Sequence, residues 1–324
     1  MAGGDHVFVT DEPVRFLEEY KKKSEHVPGG GAQLIDKVLQ QSVTDSTLLL
    51  AYQDEGQTTG FAILKQAPSA WQVDFFHFLD QTAMERGLAA FLTDLNHLLQ
   101  MSKDRIYSPA LLKIRFPLGL FDPKWSQLMF VQRGFQAVTR VEIHSPLTPL
   151  VDKLKDRIHG SARVKDLGPL QCLNYRPELF EEFVKMGAAA HDQGIDHQLF
   201  YSDYFSRYDS YRRELKEVTL GKFGIFLPEC SFLVVRNNHM LGMCMVIERE
   251  GDLYLFDIGV LPSARRQQIG SKVLKKIGQF GLLKGFKSMA LSVIREPNPS
   301  LSFYKSLGFQ TRKQQLWYVK KVSY

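Results

Sequence analysis

A chain of 324 residues is longer than one hydrophobic core usually serves, so two domains of ordinary size are expected. Its 44% apolar and 23% charged content excludes a wholly disordered chain, and no run of eighteen apolar residues offers a membrane-spanning helix. The net charge of +6 is unevenly divided, because residues 1–150 hold 14 Lys and Arg against 17 Asp and Glu while the remainder carries a net +9.

From the N-terminus, "MAGGDHVFVTDEP" has neither a basic leader nor an apolar stretch behind it, which predicts an unsecreted protein. Cys172, Cys230 and Cys244 are odd in number and lack metal-ligand spacing, so free thiols in a reducing cytoplasm are expected. A strand candidate, "WQVDFFHFL", runs through a polar turn into the amphipathic "GLAAFLTDLNHLL". The strand "ALLKIRF" follows, then a helix end, a Gly-Phe-Gln turn at Gly134 and the β-rich "AVTRVEI". The two prolines of "HSPLTP", residues 144–149, suggest a junction, and "LVDKLKDRIHGSA" reads as a connector helix closed by Gly160. The expected division is a domain over 1–147, a connector over 148–161 and a domain over 162–324.

In the second half, Tyr201, Tyr204, Tyr208 and Tyr211 recur at helical spacing, either as packing or as a wall against an acceptor. His191 and His197 stand six apart, which suits no helical metal pair, and no metal is expected. Antiparallel strands turn at Asn237-Asn238 and near Glu250-Gly251 before "DLYLFDIGV", a polar turn, the helix "GSKVLKKIGQFGLL", the strand "SMALSV" and the closing "FYKSLGFQTRKQQLWYV". Both halves thus read strand, turn, helix, strand, helix, strand, as if one unit were duplicated. The fold class is mixed α/β, in two domains that each hold a largely antiparallel sheet flanked by helices.

The chemistry centres on "GVLPSARRQQIGSKVL", residues 259–274. A helix opening on Gly270 and Ser271 offers unpaired N–H groups and a partial positive charge to an anion, with Arg265 and Arg266 able to add charge-assisted contacts. An ordinary strand-to-helix turn with solvated arginines has the same local pattern. Charge alone does not separate a nucleic acid from a nucleotide cofactor.

The run "DIGVLPSARRQQIGSKVL" resembles the acyl-CoA-binding segment of the GNAT N-acetyltransferase superfamily, Val-x-Pro followed by Gln/Arg-x-x-Gly-x-Gly/Ala at a helix start. Val260 and Pro262 match the strand end, Arg265 the first motif position and Gly270 the last, while Gln268 replaces the first glycine. "PSLSFYKSLGFQ" resembles the family's last helix, with Tyr304 four residues before Gly308. The usual asparagine is replaced by Pro297, with Asn298 displaced by one. The first half resembles the family loosely: Gly87 and Ala89 keep glycine positions of the motif, Met84 replaces its Arg/Gln, and no tyrosine aligns with Tyr304.

The resemblance implies tandem GNAT-like domains, the first degenerate, and a cytoplasmic N-acetyltransferase moving an acetyl group from acetyl-CoA to a primary amine of a small molecule, peptide or protein. It favours the cofactor over nucleic acid and implies no membrane. Val260, Leu261, Arg265, Arg266, Gln267, Gln268, Ile269, Gly270, Ser271 and Asn298 would bind the cofactor. Tyr304 would protonate the departing thiolate, and Asp257 would act as base, directly or through water. Read as packing and surface groups, Tyr304 is a buried helical tyrosine and Asp257 a solvated or N–H-capping carboxylate; Glu248 is a spare base. Three residues before Val260, Asp257 faces away from it in a regular strand, unless a bulge intervenes. A second reading, motivated by Gln268, Pro297 and the degenerate first half, is a non-catalytic acyl-CoA-binding or regulatory protein; a third, RNA binding, rests on the +9 charge alone.

Overall fold

The computed structural model describes residues 6–9, 13–24, 47–54, 57–67, 70–78, 86–87, 89–91, 111–116, 130–159, 168–192, 207–295 and 298–321. The chain divides into two units, one of Met1–Ala137 with Trp317–Tyr324, the other of Val138–Leu316.

In the first unit, β1 (His6–Val9), β2 (Thr47–Asp54), β3 (Gln57–Ala67) and β4 (Ala70–Phe78) pair antiparallel in succession, and β4 pairs parallel with β5 (Leu111–Phe116). Helix α1 (Pro13–Ser24) begins on a proline, whose missing N–H is no loss in a first turn. Its Leu17 and Tyr20, three apart and therefore on one face, pack on Leu49, Phe61 and Ile63. The Tyr20 and Phe61 rings meet edge to face at 5.0 Å, and the Tyr20 hydroxyl donates to the Thr59 carbonyl at 3.3 Å. The chain end returns to this unit, where Tyr318 is fully buried and stacks on Phe130 at 4.1 Å.

The second unit holds, in chain order, β6 (Gln136–Pro146, its first two residues in the first unit), α2 (Leu147–His159), β7 (Gln171–Asn174), α3 (Phe180–His191), α4 (Arg207–Thr219), β8 (Ile225–Phe226), β9 (Phe232–Arg236), β10 (His239–Arg249), β11 (Asp252–Val260), α5 (Ile269–Leu283), β12 (Ser288–Ile294), α6 (Pro299–Ser306) and β13 (Gln310–Lys321, continuing into the first unit). Strands β7, β9, β10 and β11 pair antiparallel in that order, β11 pairs parallel with β12, and β12 pairs antiparallel with β6. Three antiparallel pairings followed by one parallel pairing is also the order of the first unit. The two halves read as copies in the sequence therefore share a strand order. The β9–β10 hairpin turns on Asn237 and Asn238, both at positive φ (49° and 62°), the backbone that a two-residue hairpin with right-handed twist demands.

Side chains of this sheet alternate between two cores. Cys244 and Val246 of β10 face the cluster built with Leu147, Leu150 and Leu154 of α2 and Ile269, Val273 and Ile277 of α5. Met243, Met245 and Ile247 face the opposite cluster, with Phe183 of α3 and Leu215 of α4. The segment expected as a connector is thus α2, with Leu147, Leu150 and Leu154 fully buried. Pro146 ends β6 and Pro149 stands in the first helical turn, where proline is tolerated.

Cys230 and Cys244 are buried free thiols and Cys172 is half-buried. Burial pushes the Cys230 thiol up to about 12 and raises Cys244 well above the ordinary range, so neither is a reactive thiolate. Part of the basic charge is committed: Arg249 and Arg312 hold Glu142 at 2.5 and 2.7 Å, and Arg312 also bonds Asp252. No described helix is long and apolar enough to cross a membrane.

Candidate active site

Strand β11 is where the second unit departs from regular sheet. Met245 pairs with Asp257 and Val246 with Leu255, so Phe256 is an extra residue bulged out of the ladder. Leu253 and Leu255 face the α2/α5 core and Tyr254 the α3/α4 core. The bulge puts Phe256 on the α3/α4 side as well, and returns Asp257 to that same side, where a regular strand would have turned it away. Pairing is regular from Asp257 to Val260, and Ile258 and Val260 pack toward α5. The bulge thus lies just before Asp257, and Asp257 and the Val260 side chain occupy opposite faces.

Helices α3 and α4 meet the carboxylate from that side. His191 Nε2 lies 2.8 Å from Asp257 Oδ1, and the Tyr211 hydroxyl donates to Asp257 Oδ2. Two glycines make the approach possible. A side chain at Gly259 would stand 2.7 Å from Ala190 Cβ and 3.3 Å from His191 Nε2, and one at Gly187 would collide with the Tyr211 hydroxyl. Burial pushes the Asp257 carboxyl up, but the His191 charge, the hydrogen bonds from His191 and Tyr211 and the Ile258 N–H together hold it below the usual aspartate range.

On its other edge β11 is open. It pairs with β12 only at Leu253↔Met289 and Tyr254↔Ala290. From Asp257 to Val260 it continues, among the described residues, paired with β10 alone, so these parallel strands part into a V at the level of Asp257.

The turn after β11 is a short 3-10 segment, Pro262–Ala264, followed by Arg265, Arg266, Gln267 and Gln268. Arg266 and Gln268 both take positive φ, 66° and 59°. Gln268 is the residue that replaces glycine in the motif, and its left-handed backbone is the physical reason glycine suits that place. Its side chain donates to the Arg157 carbonyl at 3.2 Å and makes no cap on α5. The first turn of α5 is therefore left without a side-chain cap. A Cβ at Gly270 would find only Phe303 Cζ, at 4.0 Å, and Ser271 is buried. Small residues at an uncapped helix start fit a phosphate group closely approaching the backbone.

Of the two arginines in the turn, Arg265 makes contacts within the protein. Arg265 donates from Nε to the Val260 carbonyl at 3.2 Å and from a terminal nitrogen to the Ala190 carbonyl at 2.9 Å, tying the end of β11 to the end of α3. Arg236 donates to Gln267 Oε1 at 2.8 Å, and Gln267 passes a 3.3 Å bond to the Ser263 carbonyl, which braces the turn from within. Leu261 closes the strand end by donating its N–H to the Leu241 carbonyl at 2.9 Å, and Ile269 is a core residue of α5. Asn298 caps α6, its Oδ1 accepting the Ser300 N–H at 2.9 Å. Tyr304 is buried to 6% exposure, its ring against Phe303 and Phe309 at 5.3 and 5.4 Å.

Asp257 is thus joined to two residues that motif reading passed over, His191 and Tyr211. Tyr211 stood in the tyrosine stripe, where Tyr208 bonds Glu181 at 3.4 Å; Tyr201, Tyr204 and His197 lie outside the described residues. Among the described residues no cluster of three or more His, Cys, Asp or Glu could hold a metal ion. In the first unit Ile63 pairs with Phe75 and Leu64 with Val73, a bulge of the same kind at Asp74. By register Phe75 stands there where Asp257 stands here.

Residues 197–309 match the sequence model of the Acetyltransferase (GNAT) family. Thialysine N-epsilon-acetyltransferase of Bos taurus is 41% identical over 59 residues, 18% of this chain and 35% of the relative. The chain thus spans about a third of the length of the curated relatives it matches. Among solved structures, a GCN5-related N-acetyltransferase from Sphaerobacter thermophilus superposes with a TM-score of 0.54 at 14% identity, covering 98% of this chain and 95% of that one. A conserved protein of unknown function from Staphylococcus epidermidis gives 0.53 at 14%, covering 81% and 91%. At such identity these likenesses speak for the fold alone. With its parted parallel strands and its uncapped helix start, the second unit is similar over residues 197–309 to the acetyltransferase (GNAT) family.

Proposed function

We propose that the second unit is an acetyl-CoA-dependent N-acetyltransferase acting on a primary amine of a small molecule, peptide or protein. The observation that carries this reading is the V between β11 and β12, which leaves an unpaired strand edge beside an uncapped helix start on the same turn. Acetyl-CoA supplies the activated acetyl group. The backbone of residues 268–271 would hold its pyrophosphate, and the free edge of β11 near Val260 would align its acyl arm. Arg265 and Gln267 would keep the turn in shape from behind, and Arg266 is the exposed arginine left to meet a phosphate. Asp257 belongs to the acid–base machinery for the amine, and Tyr304 is the acid for the thiolate. The bonded set Asp257, His191 and Tyr211 supports catalysis over a purely binding role, since perturbed carboxylates paired with an imidazole cluster at functional sites. The first unit, with Phe75 at the register position of Asp257, would be a non-catalytic copy.

The test is calorimetric titration of acetyl-CoA into the full chain and into Gly270→Glu, followed by thiol release with thialysine as probe amine. The glutamate puts a carboxylate where the phosphates would lie, while the site has room for its Cβ and a negative charge favours a helix start. Binding by the natural chain, lost in a variant of unchanged thermal stability, supports the reading. Retained affinity in Gly270→Glu refutes it.

A further inference from the structure

We infer that His191, rather than Asp257, accepts the proton of the acceptor's ammonium group, and that Asp257 and Tyr211 are positioning residues that fix the imidazole for this task; the inference rests on the acetyltransferase reading above. Both oxygens of the carboxylate are already engaged, Oδ1 with His191 and Oδ2 with Tyr211. A carboxylate stabilised in its charged form is a poor proton acceptor. The imidazole is also the more accessible partner: its side chain is 30% exposed, against 13% for Asp257.

The geometry resembles a base with its orienting group. With Asp257 ionised, the Nε2 of a neutral His191 carries the proton and donates to Oδ1. In that tautomer the lone pair of the ring lies on Nδ1. The charge formed when Nδ1 takes a proton is balanced by Asp257 below it. It is favoured further by the C-terminal end of α3, of which His191 is the last residue. Asp257 from β11 bonds the ring, Arg265 from the turn bonds the adjoining Ala190 carbonyl, and Asp192 follows in the chain; Tyr211 faces the ring from α4, with the two ring centres 6.3 Å apart.

The step balances as follows. One ammonium proton passes to His191 Nδ1, and the freed nitrogen pair forms the bond to the acetyl carbon. The carbon–sulfur bond breaks with its pair on sulfur, which takes the Tyr304 proton while the second nitrogen proton restores the tyrosine. His191 then returns its proton to solvent, so the net reaction releases one proton per acetyl group moved.

The experiment uses the full chain, acetyl-CoA and thialysine, with acetyl-CoA affinity by calorimetry and turnover by thiol release. His191→Ala should lower kcat by about 100-fold or more with unchanged acetyl-CoA affinity, the range general-base removal typically gives. Added imidazoles should restore turnover in order of their basicity, a response that a merely structural histidine would not give. His191→Gln keeps a side-chain amide toward Asp257 and controls for folding, and it should be as slow as the alanine variant. Asp257→Asn should retain more activity than His191→Ala, with the acidic limb of its pH–rate profile moved to lower pH because the imidazole has lost its counter-charge. A rate for His191→Ala within about threefold of the natural chain, or absence of rescue by any imidazole, overturns the assignment while leaving the reaction class standing. Acetyl-CoA binding without thiol release to thialysine at any pH also overturns it. Failure of the natural chain to bind acetyl-CoA overturns the reading beneath it.

Discussion

Gly259 and Ala190 lie so close that a Cβ on the glycine would stand 2.7 Å from that of the alanine, and this contact sets α3 against β11 at the level of the candidate site. Neither backbone nor core can give way easily, because Ala190 is 1% exposed and β11 is paired at Gly259 with Met243. Gly259→Ala should therefore destabilise the second unit by about 1–3 kcal/mol, the usual range for overpacking, although alanine is ordinarily the better strand residue. Gly270→Ala, whose Cβ meets one atom at 4.0 Å, should be neutral or slightly stabilising. Urea unfolding of the pair decides it. Equal midpoints would mean that α3 slides freely over β11.

Asp257 links stability to pH. Its folded carboxyl lies below the ordinary aspartate value because the His191 and Tyr211 interactions outweigh burial. A depressed folded value means that the unfolded chain binds the proton more readily. The contribution is fully present above the ordinary value of about 3.9 and is lost as pH falls from there through the folded value. Asp257→Asn should remove that part of the slope and leave a flatter acid limb in the unfolding free energy. The check is urea unfolding at a series of acidic pH values, where parallel curves for the two proteins would refute the coupling.

The site was legible where local backbone chemistry speaks and hidden where the fold brings distant residues together. The turn could be read because Val260, Pro262 and Gly270 stand in one short stretch with a strand before and a helix after. Tyr304 was singled out the same way, ahead of the glycine turn at 308. His191 was weighed only as a metal ligand against His197, six residues on, whereas its partner lies 66 residues away on β11. No spacing rule reaches that far. Tyr211 shared its helical face with other tyrosines, and sequence alone does not separate a packed ring from one whose hydroxyl is bonded to a carboxylate. The bulge at Phe256 left no glycine or proline behind as a marker. What did carry over was the duplication, since strand order and bulge recur in both units.

Gln268 tests how much the missing glycine matters. The left-handed backbone costs a side-chain-bearing residue roughly 1–2 kcal/mol, so Gln268→Gly relieves strain. It also gives up the bond to the Arg157 carbonyl and adds freedom to the unfolded chain, each worth about 0.5–1 kcal/mol. These effects nearly cancel, and stability should change by less than about 1 kcal/mol. Affinity for acetyl-CoA should rise, because bare backbone replaces a side chain beside the helix start. Gln268→Val, branched at a position of positive φ, should lower the melting temperature. Calorimetry on the glycine variant is the check, and weaker binding would show that the glutamine side chain itself contributes to the site.

Arg265 predicts a coupling between the turn and the acid–base cluster. Its guanidinium bonds the carbonyl of Val260, the last residue of β11, and that of Ala190, next to His191 at the end of α3. A lysine can reach one of those carbonyls but not hold both in a fixed fork. Arg265→Lys should then leave the fold stable while loosening His191 relative to Asp257, since the helix end is no longer pinned to the strand. Turnover with thialysine should fall more than acetyl-CoA affinity does, whereas an arginine that bound phosphate would show the reverse. Comparing kcat with the calorimetric affinity for this one variant separates the two roles. A loss confined to affinity would return Arg265 to the cofactor contacts that its place in the motif suggested.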